Sequence, residues 1–245
     1  MAKTEVATVK RAKHGTVLSI FMALLSLAWI APILIVVMNS FKRKAYIFKY
    51  PFGISTAKLT DGMDKFRAGM EKMACGLLNY SNAIKKTNFF ESFGYSLFIT
   101  VVSVMLIVIC CSMCAWYVTR VHSIGSKLLY TLFLFSMIVP FQMVMFTLSK
   151  FANILHLSTP LGIVIVYLGF GAGLSVFMFT GFIKGVSLEI EEAAMIDGCN
   201  PIQTFFLIVF PILKPTTITV AILQAMWIWN DYLLPALVLN INKFK

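Results

Sequence analysis

Apolar runs of about 20 residues recur along this chain, and they restrict its fold more than any other feature. They cover about residues 17–38, 94–118, 128–149, 159–182 and 203–228, and Lys214 is the one charged residue inside them. At 1.5 Å rise per residue, a helix of about 20 residues matches the ~30 Å hydrocarbon core of a bilayer. Inside that core every backbone N–H and C=O must find its partner within the segment, so the runs are expected as helices. Composition agrees: 59% of residues are hydrophobic and 13% charged, whereas soluble domains carry about 25% charged residues. The chain reads as an all-α integral membrane protein of about five spans.

Residues 1–16 are polar and carry Lys3, Lys10, Arg11 and Lys13. Basic residues favour the cytoplasmic side, so the N-terminus is placed there. Run 17–38 is long enough to span and has no clear small-residue cleavage site after it, so it is read as a retained first span rather than a signal peptide. Residues 39–92 are then an extracytoplasmic loop, against the pull of Lys42, Arg43 and Lys44 beside the span end. Within it, 57–74 is expected as a short surface helix. Residues 93–240 form the remaining core and 241–245 the C-terminal end. Connector 119–127 is short and basic, hence cytoplasmic. Pro140 interrupts the third run, where the nearby Gln142 is placed to help satisfy the freed backbone. The fourth run holds Gly162, Gly169, Gly171, Gly173 and Gly181, which suits close helix packing.

The formal charge of +11 would suggest nucleic acid in a soluble protein. Here the basic residues lie in connectors, where topology and lipid head groups explain them. No nucleic-acid partner is expected. Cys110, Cys111 and Cys114 sit in an apolar run and read as packing residues. His14, His122 and His156 are scattered, so no metal site is expected. An intramembrane enzyme would need paired catalytic groups within spans, and a self-sufficient channel would not need the docking pattern described next.

That pattern lies in residues 189–215, EIEEAAMIDGCNPIQTFFLIVFPILKP. Ser187 can cap a helix whose first turns carry Glu189, Glu191 and Glu192, where negative charge suits the dipole. Gly198 stops that helix, and Asn200-Pro201 starts the next. Four crossings from a cytoplasmic N-terminus return this stretch to the cytoplasm. On the short helix of about 188–197, Glu189, Glu192, Ala193 and Ile196 share a face. Alanines leave room for a cleft to receive the helix, and glutamates can meet a partner's arginine or lysine. Taken alone, the stretch is equally an ordinary connecting helix with solvated acids.

The spacing is more specific. Glu192-Ala193-Ala194, three residues, Gly198, nine residues, Ile208, one residue and Phe210-Pro211 resemble the E-A-A-x3-G-x9-I-x-L-P signature of ABC importer membrane subunits, with Phe210 in place of leucine. Met195 to Gly198, Ile138 to Gln142, Asn79-Tyr80 with Phe89-Phe90, and Trp229-Asn230-Asp231-Tyr232 with Pro235 resemble further elements of its carbohydrate branch. The resemblance covers about residues 17–240 and is closest to the second membrane subunit of maltose-type importers. It implies a type I ABC importer transmembrane fold. The family's usual last span and basic tail after W-N-D are missing before Lys245, and the 39–78 loop is enlarged.

The resemblance implies a permease subunit for sugars or oligosaccharides in a bacterial or archaeal cell membrane, binding-protein-dependent, with polyol or glycerol phosphate transport as the alternative. Its partners would be a second homologous permease subunit, two ATPase subunits, an extracytoplasmic substrate-binding protein and the lipid bilayer. The chain has no G-x-x-x-x-G-K-[ST] loop, so ATP and Mg belong to the ATPase partner and no cofactor is expected on this chain. It is expected to be non-catalytic. Carried over, Glu191, Glu192, Ala193, Ala194 and Gly198 form the coupling element, Asp197 supports its turn, and Pro211 marks entry into the next span. For a substrate pathway, Trp227, Trp229, Asn230, Asp231 and Tyr232 combine aromatic faces with polar groups, with Gln142 and Gln224 as weaker candidates. An interfacial aromatic belt with a structural turn explains the same five residues and is the favoured reading.

Overall fold

The computed structural model describes residues 15–239. Expectations for the N-terminal segment before Gly15, including its orientation, and for 241–245 lie outside the described residues. Among the described residues the chain is helical, with an isolated bridge between Lys42 and Ala74 instead of any strand. It divides into two units, Met1–Phe89 and Phe90–Lys245.

In the first unit, α1 (Gly15–Ser40) is long and apolar enough to cross a membrane. Short helices α2 (Lys44–Lys49), α3 (Met63–Met73) and α4 (Leu78–Thr87) follow. The surface helix expected over 57–74 is shorter, because Gly62 at φ 101° separates α3 from a 3-10 turn at Leu59–Asp61. The basic cluster after α1 is not simply solvated. Lys42 is buried, and its Nζ donates to Asn39 Oδ1 at 2.6 Å and the Tyr50 carbonyl at 3.0 Å. Burial lowers its pKa from the ordinary lysine value. Asn79 Nδ2 donates to the carbonyls of Ser40 and Lys42, both at 2.8 Å. These bonds fold the polar loop back onto the end of α1.

The second unit contains α5 (Phe89–Arg120) from its second residue on, then α6 (Ile124–Ile138), α7 (Phe141–Ile154), α8 (Pro160–Ile183), α9 (Leu188–Ile196), α10 (Pro201–Ile212), α11 (Lys214–Asn230) and α12 (Leu233–Val238). Helices α5 and α8 are of spanning length and hydropathy. The third and fifth expected spans are each a bent helix pair rather than one continuous helix. Helices α6 and α7 meet at 109°, and α10 and α11 at 77°. The first bend follows from Pro140, which disfavours helix at the preceding residue. Val139 and Pro140 are both extended, at ψ 114° and ψ 137°. Gln142 lies exposed in the first turn of α7 rather than repairing a continuous helix.

The second bend has two prolines around it. Pro211 and Pro215 cannot donate backbone hydrogen bonds. Ahead of Pro211 the ladder widens into a π-helical segment, Thr204–Val209, where Phe210 N donates to the Phe205 carbonyl. The axis turns at Leu213 (ψ −3°), and α11 begins at Lys214. The longer helix therefore starts three residues after Pro211, the position expected to mark its entry.

Helix α8 sits at the centre, packed on α6 and α11. Its Tyr167, Val176, Phe179 and Ile183 are buried with Ile107 and Ala115 of α5, Phe205 and Val209 of α10, and Val220 of α11. Of its five glycines, Gly162, Gly171 and Gly173 act as close-packing residues, whereas a Cβ on Gly169 or Gly181 would meet nothing within 4 Å. A Cβ on Gly173 would lie 2.6 Å from Ser136 Oγ and 2.9 Å from the Phe133 carbonyl, so α6 approaches nearer than any side chain allows. Gly173→Val should therefore cost about 1–3 kcal/mol by overpacking. The expected observation is a lower thermal unfolding midpoint in detergent, and an unchanged midpoint would refute this packing account.

Candidate functional site

The stretch after α8 is assembled by local rules. Ser187 Oγ accepts from Glu189 N at 3.3 Å and starts α9. At the other end Gly198 N donates to Met195 O at 3.1 Å and Cys199 N to Ala194 O at 3.0 Å. That pair of bonds is a Schellman stop, which needs a left-handed residue at the position Gly198 occupies. Gly198 has φ 91°, and a Cβ there would meet nothing within 4 Å. Backbone conformation alone therefore calls for glycine. Asn200 and Gln203 then form a reciprocal capping box, both bonds 2.9 Å, with Pro201 in the first turn of α10.

Helix α9 has two chemically distinct faces. Glu189, Glu192, Ala193 and Ile196 are exposed, Ile196 to 87%. Asp197 is exposed at the helix end, where its backbone N–H donates to Ala193 O. Glu191 and Ala194, expected with the coupling residues, lie on the opposite, buried side at 1% and 7% exposure. Glu191 Oε1 accepts from Arg120 Nη2 at 2.7 Å and Nε at 3.0 Å, and its Oε2 accepts from Trp116 Nε1 at 2.9 Å. A carboxylate this deep requires such donors. It therefore faces its own chain rather than solvent. Sequence reasoning missed Trp116 and Arg120. Their four-residue spacing at the end of α5 places them on one face, but nothing local ties them to a residue some 70 positions later.

The proposed substrate residues divide between two cavities of the second unit. One, of about 350 Å³, is lined by Gln224 and Trp227 with Ser136, Phe141 and Phe170. Gln224 is buried, and its Nε2 donates to Gly171 O at 3.2 Å and Ser175 Oγ at 3.0 Å, while its Oε1 has no partner. The other, of about 210 Å³, is lined by Trp229 and Asp231 with Tyr167, Ser96 and Thr100. Tyr167 bridges the two sets. Its hydroxyl donates to Asp231 Oδ2 at 3.1 Å, and its ring stands edge-on to Trp227 at 5.6 Å. The sequence reading overlooked Tyr167, although a polar atom inside an apolar run is itself a signal.

The remaining residues of the element are structural or external. Asp231 Oδ1 accepts from Leu233 N at 3.0 Å and Leu234 N at 3.4 Å, starting α12. Asn230 Nδ2 bonds back to Met226 O at 2.7 Å, and Tyr232 is 82% exposed. Gln142 lines neither cavity. Among the described residues no group of His, Cys, Asp and Glu is arranged to hold a metal.

Residues 107–244 match the family described as binding-protein-dependent transport system inner membrane component. The chain is similar to the probable starch degradation products transport system permease protein AmyC of Thermoanaerobacterium thermosulfurigenes, with 40% identity over 216 residues, 88% of this chain and 73% of that protein. It is also similar to the multiple sugar-binding transport system permease protein MsmG of Streptococcus mutans serotype c, with 30% identity over 212 residues, 85% of this chain and 70% of that protein. A solved bacterial ABC transporter involved in the import of the acidic polysaccharide alginate superposes at a TM-score of 0.71. At 21% identity, covering 94% of this chain and 75% of that one, the superposition establishes a shared fold.

Proposed function

Because the chain belongs to the family of binding-protein-dependent transport system inner membrane components, we propose that it is the permease subunit of an ATP-driven importer of sugars or oligosaccharides. Its fold is the type I ABC importer transmembrane fold, and it is a multi-pass membrane protein. The full transporter would hold a second homologous permease subunit, two ATPase subunits and an extracytoplasmic substrate-binding protein. In this reading the N-terminus and α9 face the cytoplasm of a bacterial or archaeal cell, and ATP and Mg reside on the ATPase.

The observation that carries the reading is the exposed face of α9. Glu192 and Ala193 of the E-A-A pattern stand in solvent with Glu189 and Ile196, while Gly198 ends the helix in a sharp turn. An acidic and apolar ridge with little bulk suits a cleft lined by basic and apolar groups. Closure of that cleft on ATP would push α9 and, through it, the spanning helices. Ala194 supports this from within, since its small side chain lets α9 lie close to the rest of its own chain.

The cavities support a sugar path through this subunit. Trp227 and Phe170 offer apolar faces, and Ser136 and Gln224 polar atoms, along one wall. A sugar ring needs both kinds of surface. Such a path extends past Tyr167 and Asp231 to the cavity that Trp229 lines.

Two measurements test these statements separately. Glu192→Lys reverses the charge on the exposed face, and Gly198→Asp places a side chain at φ 91°, a conformation costing roughly 1–2 kcal/mol for L-residues. Both variants should insert but lose co-purification with the ATPase, or lose transport while ATP is still hydrolysed. Wild-type transport with normal ATPase recruitment would overturn the docking assignment. Trp227→Ala should leave ATPase recruitment intact and reduce sugar uptake about tenfold, equivalent to ~1.4 kcal/mol. Uptake at the wild-type rate would remove this wall from the path.

A further inference from the structure

Docking explains how an ATPase would grip α9, but not how α9 grips the spanning helices. The buried face supplies that second contact. Glu191 receives all three of its side-chain hydrogen bonds from Trp116 and Arg120, in the last turns of α5. Arg120 Nη2 also donates to the Val186 carbonyl at 3.0 Å, fixing the chain just ahead of α9. The Trp116 ring lies 5.5 Å from that of Phe205, inside the π-helical segment of α10. One carboxylate thus joins α9 to the end of α5 and, through Trp116, to α10.

The mechanical character of this contact differs from that of apolar packing. Apolar side chains slide past one another with little change in buried area. A forked guanidinium–carboxylate pair does not, because separating it leaves a charge without its partner in a site with little water. Arg120 Nε and Nη2 hold carboxylate oxygen Oε1 while Trp116 Nε1 holds Oε2, so rotation as well as separation is resisted. We propose that the Glu191–Arg120 pair, braced by Trp116, is the joint that passes displacement of α9 to α5. Glu191, Arg120 and Trp116 are positioning residues that act through α9 and do not touch the ATPase or the sugar. The proposal rests on the reading of α9 as the docking helix.

The test uses the complete transporter in proteoliposomes, with its ATPase and binding protein. Arg120→Lys keeps the charge and removes the fork. Glu191→Gln keeps the shape and removes the charge. Trp116→Phe keeps a ring against Phe205 and removes only the N–H donor, so it remains informative if the other two fold poorly. The readouts are ATPase co-purification, ATP hydrolysis and sugar uptake, combined as ATP consumed per sugar moved.

Each variant should co-purify with its ATPase and hydrolyse ATP within about twofold of wild type. Uptake should fall about tenfold for Arg120→Lys and Glu191→Gln, the scale expected for changes along a coupling route. The ATP-to-sugar ratio rises accordingly, least for Trp116→Phe. A proportional fall of hydrolysis and uptake, with the ratio unchanged, would show that the pair merely shapes α9 and would overturn the joint. Unchanged uptake in Arg120→Lys and Glu191→Gln would overturn it too. If the wild-type chain recruits no ATPase, the docking reading has failed, and the joint fails with it.

Discussion

A carboxylate shielded from water must be matched by donors and opposite charge. Glu191 is 1% exposed, and Arg120 and Trp116 supply that match. Removing one partner of such a pair typically costs about 3–5 kcal/mol, although the intact pair need not stabilise the fold relative to apolar packing. Its contribution is geometric. With Glu191 turned inward, a helix of 3.6 residues per turn must turn Glu189, Glu192, Ala193 and Ile196 outward. The composition of the exposed face is thus set by a contact on the hidden one. The Schellman stop at Gly198 and the capping box at Asn200 then fix where the next helix departs.

The spanning part depends on a different constraint, the need to satisfy backbone groups where water is scarce. Unbroken helices α5 and α8 do so along their length. The two bent pairs do not, and each bend has proline beside it: Pro140 in one case, Pro211 and Pro215 in the other. At the second bend the π-helical segment places Phe205 against Trp116. The irregular backbone and the buried charge therefore meet at the same aromatic residue. Helix α8 is the common wall, close to α6 at Gly173 and hydrogen-bonded to α11 through Gln224.

Much of this was legible in the sequence where the signal is local. Helix α9, its glycine stop, its N-cap and the capping asparagine all follow from near-neighbour chemistry. So does the exposed set at i, i+3 and i+4. The apolar runs gave the helical class, and the E-A-A spacing gave the family. Run length could not reveal that Pro140 and Leu213 turn the axis through 109° and 77°, because a broken span and a straight one have the same hydropathy. Nor could it separate Glu191 from Glu192. Helical period puts the two acids on different sides, but only a residue on a distant helix, Arg120, shows that Glu191 is the one buried. The W-N-D element shows the same mixture: Asp231 starts α12 as a structural turn would, yet it also meets Tyr167 beside a cavity.

In the proposed transporter α9 would meet an ATPase with one face while it packs on its own spans with the other. Single cysteines placed at each position from 189 to 197, in a background without native cysteines, can be crosslinked to a cysteine in the docking cleft of the ATPase. The account predicts a helical pattern, with strong crosslinking at 189, 192, 193 and 196 and little at 191 and 194. Equal crosslinking at all positions, or a maximum at 191 and 194, would contradict it.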